Sequence, residues 1–243
     1  ALAELIKLNN LRNYNFLFLV FSGSKANHQG VVSFLKDNEK STFQYDCFID
    51  FNMLGRYNQV KKEVIISGVG SNDFWSVLLQ KHNKGFHLMV DSAGIGYGAY
   101  SFFYKRNIPV LSFSTGYMSD YAKPSDDVSK INFVGQVDIN NYIYRILSEL
   151  DKLPKLVFRE TTNIADKLEK LKTDLGIIPD YAFNENGIKI ATCLLHKMAY
   201  KIGLEPDDII IQIGDYRIID FDDYIEAFTK LPKGKEVPIL VKR

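Results

Sequence analysis

Histidine and carboxylate side chains are the groups with which this sequence could bind a metal ion. His82, His87 and Asp91 have the side-chain types of a zinc site, and His28 stands in a loop after an apolar segment. However, His82 and His87 flank a predicted helix-to-strand turn, and Asp91 lies at the far end of that strand. Their spacing does not bring three ligands together. We therefore predict solvated or core-edge histidines at these positions.

A glycine-rich stretch at 94–99, Gly-Ile-Gly-Tyr-Gly-Ala, follows a predicted strand and precedes a predicted helix. It matches the dinucleotide fingerprint in its Ala-ending form, but that fingerprint also needs an acid at the end of the next strand to bind a ribose. The next strand here ends in Ser114 and Thr115. We predict a flexible loop beside the carboxyl edge of a sheet rather than a nucleotide site.

Two polar clusters could support catalysis. Ser24 and Lys25 are neighbours in sequence, so their side chains diverge, and no base nearby activates the serine. The long loop 116–127 contains Asp126 and Asp127, and its length indicates a functional loop. The alternative is that Ser-Asp-Asp at 125–127 simply caps the turn that follows.

The elements that position these residues change character near residue 150. Up to that point, apolar runs predicted as strands (16–21, 47–51, 64–66, 86–90 and 110–113) alternate with predicted helices (31–35, 74–79, 100–105 and 137–150). Strands buried on both faces and separated by helices predict a mostly parallel sheet with helices on both faces. The first part is therefore expected to be α/β.

The remainder predicts a smaller β domain. Strands are expected at 187–191, 209–213, 216–219 and 237–241, with one helix at 222–230, and a charged helix at 165–172 precedes them. This pattern fits a small, partly open β-barrel. We predict three regions: an α/β domain at 1–154, a linker helix within 155–173, and a β domain at 174–243.

Composition limits the classes of function. Hydrophobic residues make up 46% of the 243 residues, charged residues 24%, and the net charge is +1. Neither half has the positive field that nucleic-acid binding requires, so we predict no nucleic-acid partner. The longest apolar run, 16–21, is far too short for a transmembrane segment. Cys47 and Cys193 have no ligand or redox spacing and are interpreted as buried small hydrophobes.

Four segments of residues 1–150 together resemble the zinc-dependent aminopeptidases of metallopeptidase family 28. In the family's order and spacing, they are 16–30, Ile-Asp-Phe-Asn-Met-Leu-Gly-Arg at 49–56, 101–111, and the loop 115–126, which contains Ser-Asp-Tyr-Ala-Lys-Pro-Ser-Asp. The resemblance implies a zinc-exopeptidase-like fold. Because residues 1–10 resemble the helix after the family's bridging Asp, it also implies that the N-terminal part of the domain is missing.

The resemblance fails at the catalytic positions. It places the family's base Glu at Ser24, a metal-binding Glu at Lys25, the metal-binding Asp at Asn52 and the metal-binding His at Ala122. A two-zinc site needs carboxylates and imidazoles, with a carboxylate base for the bridging water. The family uses zinc, but these replacements predict a metal-free, catalytically inactive domain with no cofactor.

Residues 174–243 resemble a PDZ domain of the type associated with bacterial proteases. The likeness lies in Leu-Gly-Ile-Ile-Pro at 175–179, Ile-Gly-Leu-Glu-Pro-Asp-Asp-Ile-Ile at 202–210, and the strand that ends the sequence. Such domains bind a peptide carboxyl terminus by strand addition. The resemblance implies a carboxylate loop and strand at Leu175, Gly176, Ile177 and Ile178. It also implies a pocket walled by three helical residues, which are Tyr224, Ala227 and Phe228.

Two departures bear on this site. Pro179 shortens the strand available for pairing because it lacks an N–H. Asp208 is interpreted as the replacement for the glycine of the family's Gly-Asp-Ile turn. The alternative to peptide binding is that the residues of the proposed site form only the core of the domain.

The preferred hypothesis is an inactive aminopeptidase-like protein that binds a peptide or protein carboxyl terminus at the PDZ groove, with homo-oligomerisation left open. A rival hypothesis is an active or residual aminopeptidase or other hydrolase that uses His28 or the Asp126–Asp127 pair. A third is a scaffold in which neither domain binds a free peptide. The family resemblance implies an extracytoplasmic location, periplasmic or at the cell surface.

Overall fold

The computed structural model describes the chain apart from residues 25, 27, 40–43, 119, 122, 162–174, 181–182, 184, 195–196 and 233. It divides into two compact units. The first consists of Ala1–Gly116 and Asp127–Thr161, and the second of Tyr117–Asp126 and Thr162–Arg243.

The first unit alternates helices and strands, as predicted. Its elements are α1 (Leu2–Leu8), α2 (Gln29–Asp37), β1 (Phe48–Asn52), β2 (Glu63–Ser67), α3 (Phe74–His82), β3 (His87–Val90), α4 (Tyr100–Tyr104), β4 (Val110–Ser114) and α5 (Phe133–Leu150). Helix α5 shows how the sequence specifies an element. The Asn132 side chain accepts the Gly135 N–H at its start, and its buried residues recur at helical spacing, as at Ile139, Ile143 and Ile146.

The sheet of the first unit is mixed, with the strand order β1-β4-β2-β3. Strands β1 and β4 are parallel and so are β2 and β3, but β2 runs antiparallel to β4. The predicted α/β class is therefore confirmed at the level of a mixed α/β sheet. The carboxyl ends of β1 and β4 lie together at one edge of the sheet.

Apolar side chains cover both faces of this sheet. On β4, Val110 packs with residues of α2 and α4, whereas its neighbour Leu111 packs with residues of α3 and α5. Successive strand residues point to opposite faces, so helices lie on both sides. Trp75 of α3 is fully buried in the larger of the two cores.

The strand predicted at 16–21 is wrong. This segment has no strand among its residues, and Leu17, Phe18 and Val20 are exposed, Val20 completely. Phe16 nevertheless packs against the core that contains Trp75, and Phe21 packs against the core that contains Val110. An apolar run forms a strand only where a neighbouring backbone completes its hydrogen bonds, and local sequence cannot reveal that neighbour.

The second unit is an antiparallel β structure. Its elements are β5 (Ile177–Pro179), β6 (Ile188–Cys193), α6 (Met198–Lys201), β7 (Ile209–Ile213), β8 (Tyr216–Arg217), α7 (Phe221–Lys230) and β9 (Ile239–Lys242). The strand order is β5-β6-β7-β8, with β9 pairing with β7. Its described strands form an open sheet, so the finer assignment of a PDZ barrel stays a prediction.

The turn before β7 differs from the sequence interpretation. Asp207, not Asp208, has the left-handed backbone, with φ of 73°. Asp208 is 3% exposed, and it accepts hydrogen bonds from the Glu205 N–H and the Arg243 guanidinium. Asp207 is therefore the residue at the position that favours glycine.

Residues 155–161 contain no helix and belong to the first unit. Thr161 ends that unit, where the Tyr104 hydroxyl lies 2.6 Å from its backbone N. The helix predicted at 165–172 lies outside the described residues. The three predicted regions therefore remain predictions.

Candidate functional site

The carboxyl edge of β1 and β4 contains polar side chains in register. Asn52 lies opposite Ser114, and the Asn52 amide donates to the Tyr97 carbonyl at 3.4 Å. Immediately beyond, the Thr115 hydroxyl donates to the Met53 carbonyl at 2.5 Å. These contacts connect β1, β4 and the glycine-rich loop at one edge of the sheet.

Asp50 is the functional candidate that the sequence analysis missed. Its carboxylate accepts a hydrogen bond from the Ser112 hydroxyl at 3.3 Å, and the Tyr100 N–H also donates to it. Burial raises the pKa of Asp50 to about 6, although these hydrogen bonds act in the opposite direction. Asp50 and Asn52 are alternate residues of β1 and therefore lie on the same face of the sheet. This spacing is the sequence signal that could have identified Asp50 as a candidate.

The glycines of the 94–99 loop make room for tyrosines. A Cβ on Gly94 would lie 2.0 Å from the Tyr104 ring, and a Cβ on Gly98 would lie 2.8 Å from both the Asp50 carboxylate and the Tyr100 ring. Gly94 and Gly98 are buried. Aromatic packing, and not an open flexible loop, therefore accounts for the glycine spacing.

The predicted zinc positions can be compared with the ligands that zinc prefers. Ser24 presents an exposed hydroxyl and Asn52 a neutral amide, which are weaker ligands than carboxylate or imidazole. Lys25 and Ala122 lie outside the described residues. Within the part of the chain that the structure describes, no three His, Cys, Asp or Glu side chains are grouped as metal ligands. This donor set does not fit a zinc pair, and we derive no step through zinc.

The structure places the histidines apart. His82 Nε2 lies 3.9 Å from Glu149, and His87 Nδ1 lies 3.9 Å from Glu63. His28 precedes α2 and packs its ring 5.4 Å from the Phe102 ring. Burial lowers the pKa of His28, which favours its neutral form.

Of the acidic pair in the long loop, Asp127 has a structural role. Its carboxylate accepts the Ser129 N–H at 2.8 Å and so caps the turn, as the alternative interpretation predicted. Its neighbour Asp126 belongs to the second unit. The rival hydrolase hypothesis remains a prediction.

A shallow surface cavity of about 300 Å³ lies beside β1. Phe51, Leu54, Gln136 and Asn140 line it. These side chains include no titratable group or nucleophile, so we assign no catalytic role to the cavity.

Most of the predicted peptide-site residues lie together in the second unit. Leu175, Ile177, Tyr224 and Ala227 belong to one buried core, and Phe228 packs against it. Tyr224 and Phe228 are in ring contact, with centroids 4.8 Å apart. This arrangement joins the β5 end of the sheet to α7.

The turn before β5 requires glycine. Gly176 has φ of 71°, and a Cβ there would lie 2.2 Å from the Lys197 Cβ. The Leu175 and Gly176 carbonyls accept hydrogen bonds from the Ala199 and Leu194 N–H groups. Hydrogen bonds from Leu194 and Ala199 therefore fix the conformation of the turn.

The backbone orientation of β5 follows from its pairing with β6. Leu194 donates to the Gly176 carbonyl and Asp180 donates to the Lys189 carbonyl, so even-numbered residues face β6. In an antiparallel pair the alternate residues face away, which places the backbone groups of Ile177 and Pro179 on the outer edge. Proline is tolerated there because no ladder hydrogen bond needs its N–H.

No known protein-family model matches the sequence, and no curated protein matches it either. Among solved structures, LapA of Legionella pneumophila has a TM-score of 0.47 and 13% identity, over 55% of this chain and 39% of that chain. A structure described as the LapA aminopeptidase of the same organism has a TM-score of 0.45 and 14% identity, over 51% and 36%. BSAP, a zinc aminopeptidase from Bacillus subtilis, has a TM-score of 0.44 and 13% identity, over 59% of this chain and 38% of that chain.

The chain thus spans less than half of the length of each of these structures. The structures that it resembles in part include aminopeptidases. Membership of metallopeptidase family 28, the PDZ domain and a missing N-terminal part remain predictions.

Proposed function

We propose that this chain is a peptidase-like protein that binds the carboxyl terminus of a peptide or protein partner and does not hydrolyse it. The observation that carries the proposal is strand β5, which ends the sheet among the described strands, follows a left-handed Gly176 turn and lies in one core with α7. An end strand can accept a further strand through main-chain hydrogen bonds.

The edge of β5 supports only a short pairing. Ile177 supplies one outward N–H and one outward carbonyl, whereas Pro179 supplies a carbonyl alone. The site would therefore bind the last few residues of its ligand. Its apolar core residues favour an apolar terminal side chain.

The proposed inactivity and absence of zinc are supported by the donor chemistry of the first unit. Ser24 and Asn52 provide neutral oxygens where the family resemblance requires carboxylates. Asp50, the partly buried acid at this edge, accepts hydrogen bonds from Ser112 and Tyr100. Its carboxylate is therefore engaged by the protein.

Peptide binding is tested with a pool of fluorescein-labelled hexapeptides that end in Val, Ile, Leu or Phe. Fluorescence polarisation should show binding of the free acids and about tenfold weaker binding of the terminal amides, because a charged hydrogen-bonded group is lost. Equal affinity for acids and amides would contradict recognition of the terminus.

Pro179→Val adds an outward N–H to the edge and is expected to tighten binding by about 2- to 10-fold, the effect of one hydrogen bond. Ile178→Val is the matched control, since residue 178 pairs with Thr192 of β6. If Pro179→Val leaves affinity unchanged, the peptide binds elsewhere.

The absence of hydrolysis is tested separately with amino-acid anilides in the presence of zinc. We expect no turnover. Anilide release that a chelator abolishes would show that the chain is an active aminopeptidase instead.

A further inference from the structure

Residues 15–23 of the first unit form an extended piece of chain that belongs to no strand. They contain no helix, turn or bend. Among the described residues, no backbone hydrogen bond connects 15–21 to another part of the chain. An extended backbone with open N–H and carbonyl groups is a template for a further strand.

Both ends of this segment are held by apolar packing. Phe16 packs against the core that contains Trp75. Phe21 packs against the core that contains Val110, and so does Leu19. The segment is therefore positioned before any partner binds, which lowers the entropy cost of association.

Between these anchors, three apolar side chains face the solvent. Leu17 is 60% exposed, Phe18 is 53% exposed and Val20 is completely exposed. Isolated exposed apolar residues are common on protein surfaces, but three within four residues form a continuous patch. Such a patch beside an open backbone is typical of an interaction surface.

We propose that the partner is the same segment of a second copy of this chain, and that the two copies pair as antiparallel strands about a twofold axis. The sequence Phe-Leu-Phe-Leu-Val-Phe at 16–21 has high β propensity and no proline or glycine, which is typical of segments that pair with identical copies. Residues 13–24 contain no charged side chain, so two copies meet without like-charge repulsion. An acidic or basic partner would find no complementary charge there.

The exposed side chains suit a pair whose axis passes through Leu19. This register places Phe18 opposite the second copy's Val20, and the reverse. Phe18 and Val20 are alternate residues on one face, whereas Leu19 and Phe21 pack against their own core. The pairing therefore joins four exposed side chains, two from each copy. It involves the first unit only and is independent of peptide binding by the second.

The variant that tests the pairing is Val20→Lys, which places two like charges near the axis without disturbing a core. Sedimentation velocity over a concentration series should show a dimer for the unaltered chain, and the variant should dissociate about tenfold more readily or more. Val60→Lys is the matched control, since Val60 is 93% exposed in the turn before β2. It should dimerise like the unaltered chain.

Three results would overturn the inference. They are a monomer at every concentration, a dimer that persists unweakened in Val20→Lys, and open-ended assembly with no dimer.

Charge exchange tests the twofold pairing itself. In the proposed register the two copies of residue 20 are diagonal neighbours, within reach of long side chains. Val20→Lys and Val20→Glu should each dimerise weakly, whereas an equal mixture should form the heterodimer, which native mass spectrometry distinguishes by mass. Failure of the mixture to restore dimers would contradict this register.

Hydrogen exchange locates the interface. Amide hydrogens within 17–21 should exchange more slowly at high protein concentration in the unaltered chain, because the dimer forms hydrogen bonds there. The Val20→Lys variant should lose this protection. A dimer whose protection lies entirely in other segments would show that the copies meet elsewhere.

Discussion

Asp50 illustrates how one residue depends on its surroundings. Its carboxyl lies against Ser112 of the neighbouring strand and below Gly98, whose missing side chain leaves space for it. Burial disfavours the charged form, so the neutral acid is stabilised by the fold.

This environment predicts a pH dependence of stability. Because the folded pKa of Asp50, about 6, exceeds its ordinary value of 3.8, the protein should lose stability as the pH rises through this window. The loss should be of the order of 2 kcal/mol, and Asp50→Asn should remove it. Denaturant unfolding at several pH values between 4 and 7 measures the effect.

The control is Asp37→Asn, which changes an exposed carboxylate at the end of α2. This variant should follow the pH profile of the wild type. Parallel profiles for the wild type and Asp50→Asn would show that Asp50 is not the responsible group.

At the scale of elements, α5 contains a glycine that the helix itself does not need. Gly135 lies in the first turn, and a Cβ there would come within 2.4 to 2.9 Å of the Tyr57 side chain. Tyr57 is 6% exposed and belongs to the same core as α5. The glycine therefore allows close packing of the helix on Tyr57.

Gly135→Ala should consequently reverse the usual effect of this substitution. In an open helix it would stabilise by about 1 kcal/mol, but here overpacking should destabilise the first unit by about 1–3 kcal/mol. Denaturant unfolding followed by Trp75 fluorescence measures the change. In a Tyr57→Gly background, which removes the Tyr57 Cβ together with the ring, the penalty should disappear, and its persistence there would contradict the packing explanation.

At the scale of the whole molecule, the two units have separate cores. The core residues around Trp75 belong to the first unit and those around Ile210 to the second. Trp75 is the single tryptophan of the chain, so its fluorescence reports on the first unit alone.

No helix among the described residues is long and apolar enough to cross a membrane.

Separate cores predict separate unfolding transitions. Ile210→Ala should destabilise the second unit by about 2–5 kcal/mol, the cost of a buried large-to-small substitution. Circular dichroism should detect this change while the Trp75 fluorescence midpoint stays constant. Ile143→Ala, in the first core, should shift the Trp75 midpoint by a similar amount. Equal shifts from both variants would show that the units unfold together.

Most helices and strands were predictable because their signals are local. Helix α5 and strands β4 and β7 have hydrophobic periods that depend only on neighbouring residues. The segment 16–21 has an equally apolar sequence but forms no strand, because strand formation needs a partner from elsewhere in the chain. The antiparallel pairing of β2 with β4 was not predictable for the same reason.

The candidate sites divide in the same way. The sequence alone shows that Ser24 and Asn52 are neutral residues at positions where the family resemblance requires carboxylates. These replacements led to the prediction of an inactive zinc-type site. The partly buried position of Asp50 and the packing of Gly94 against Tyr104 depend on contacts between separate elements. No local pattern encodes those contacts.

The sequence by itself determined the α/β character of the first part, the β character of the second and the chemical groups available at each candidate site. Only the tertiary structure decided that β5 is the last of the described strands in its sheet and is nevertheless buried. The physical reason is that periodicity and side-chain chemistry are properties of neighbouring residues. Burial and strand pairing are set by segments that are distant in sequence and close in space.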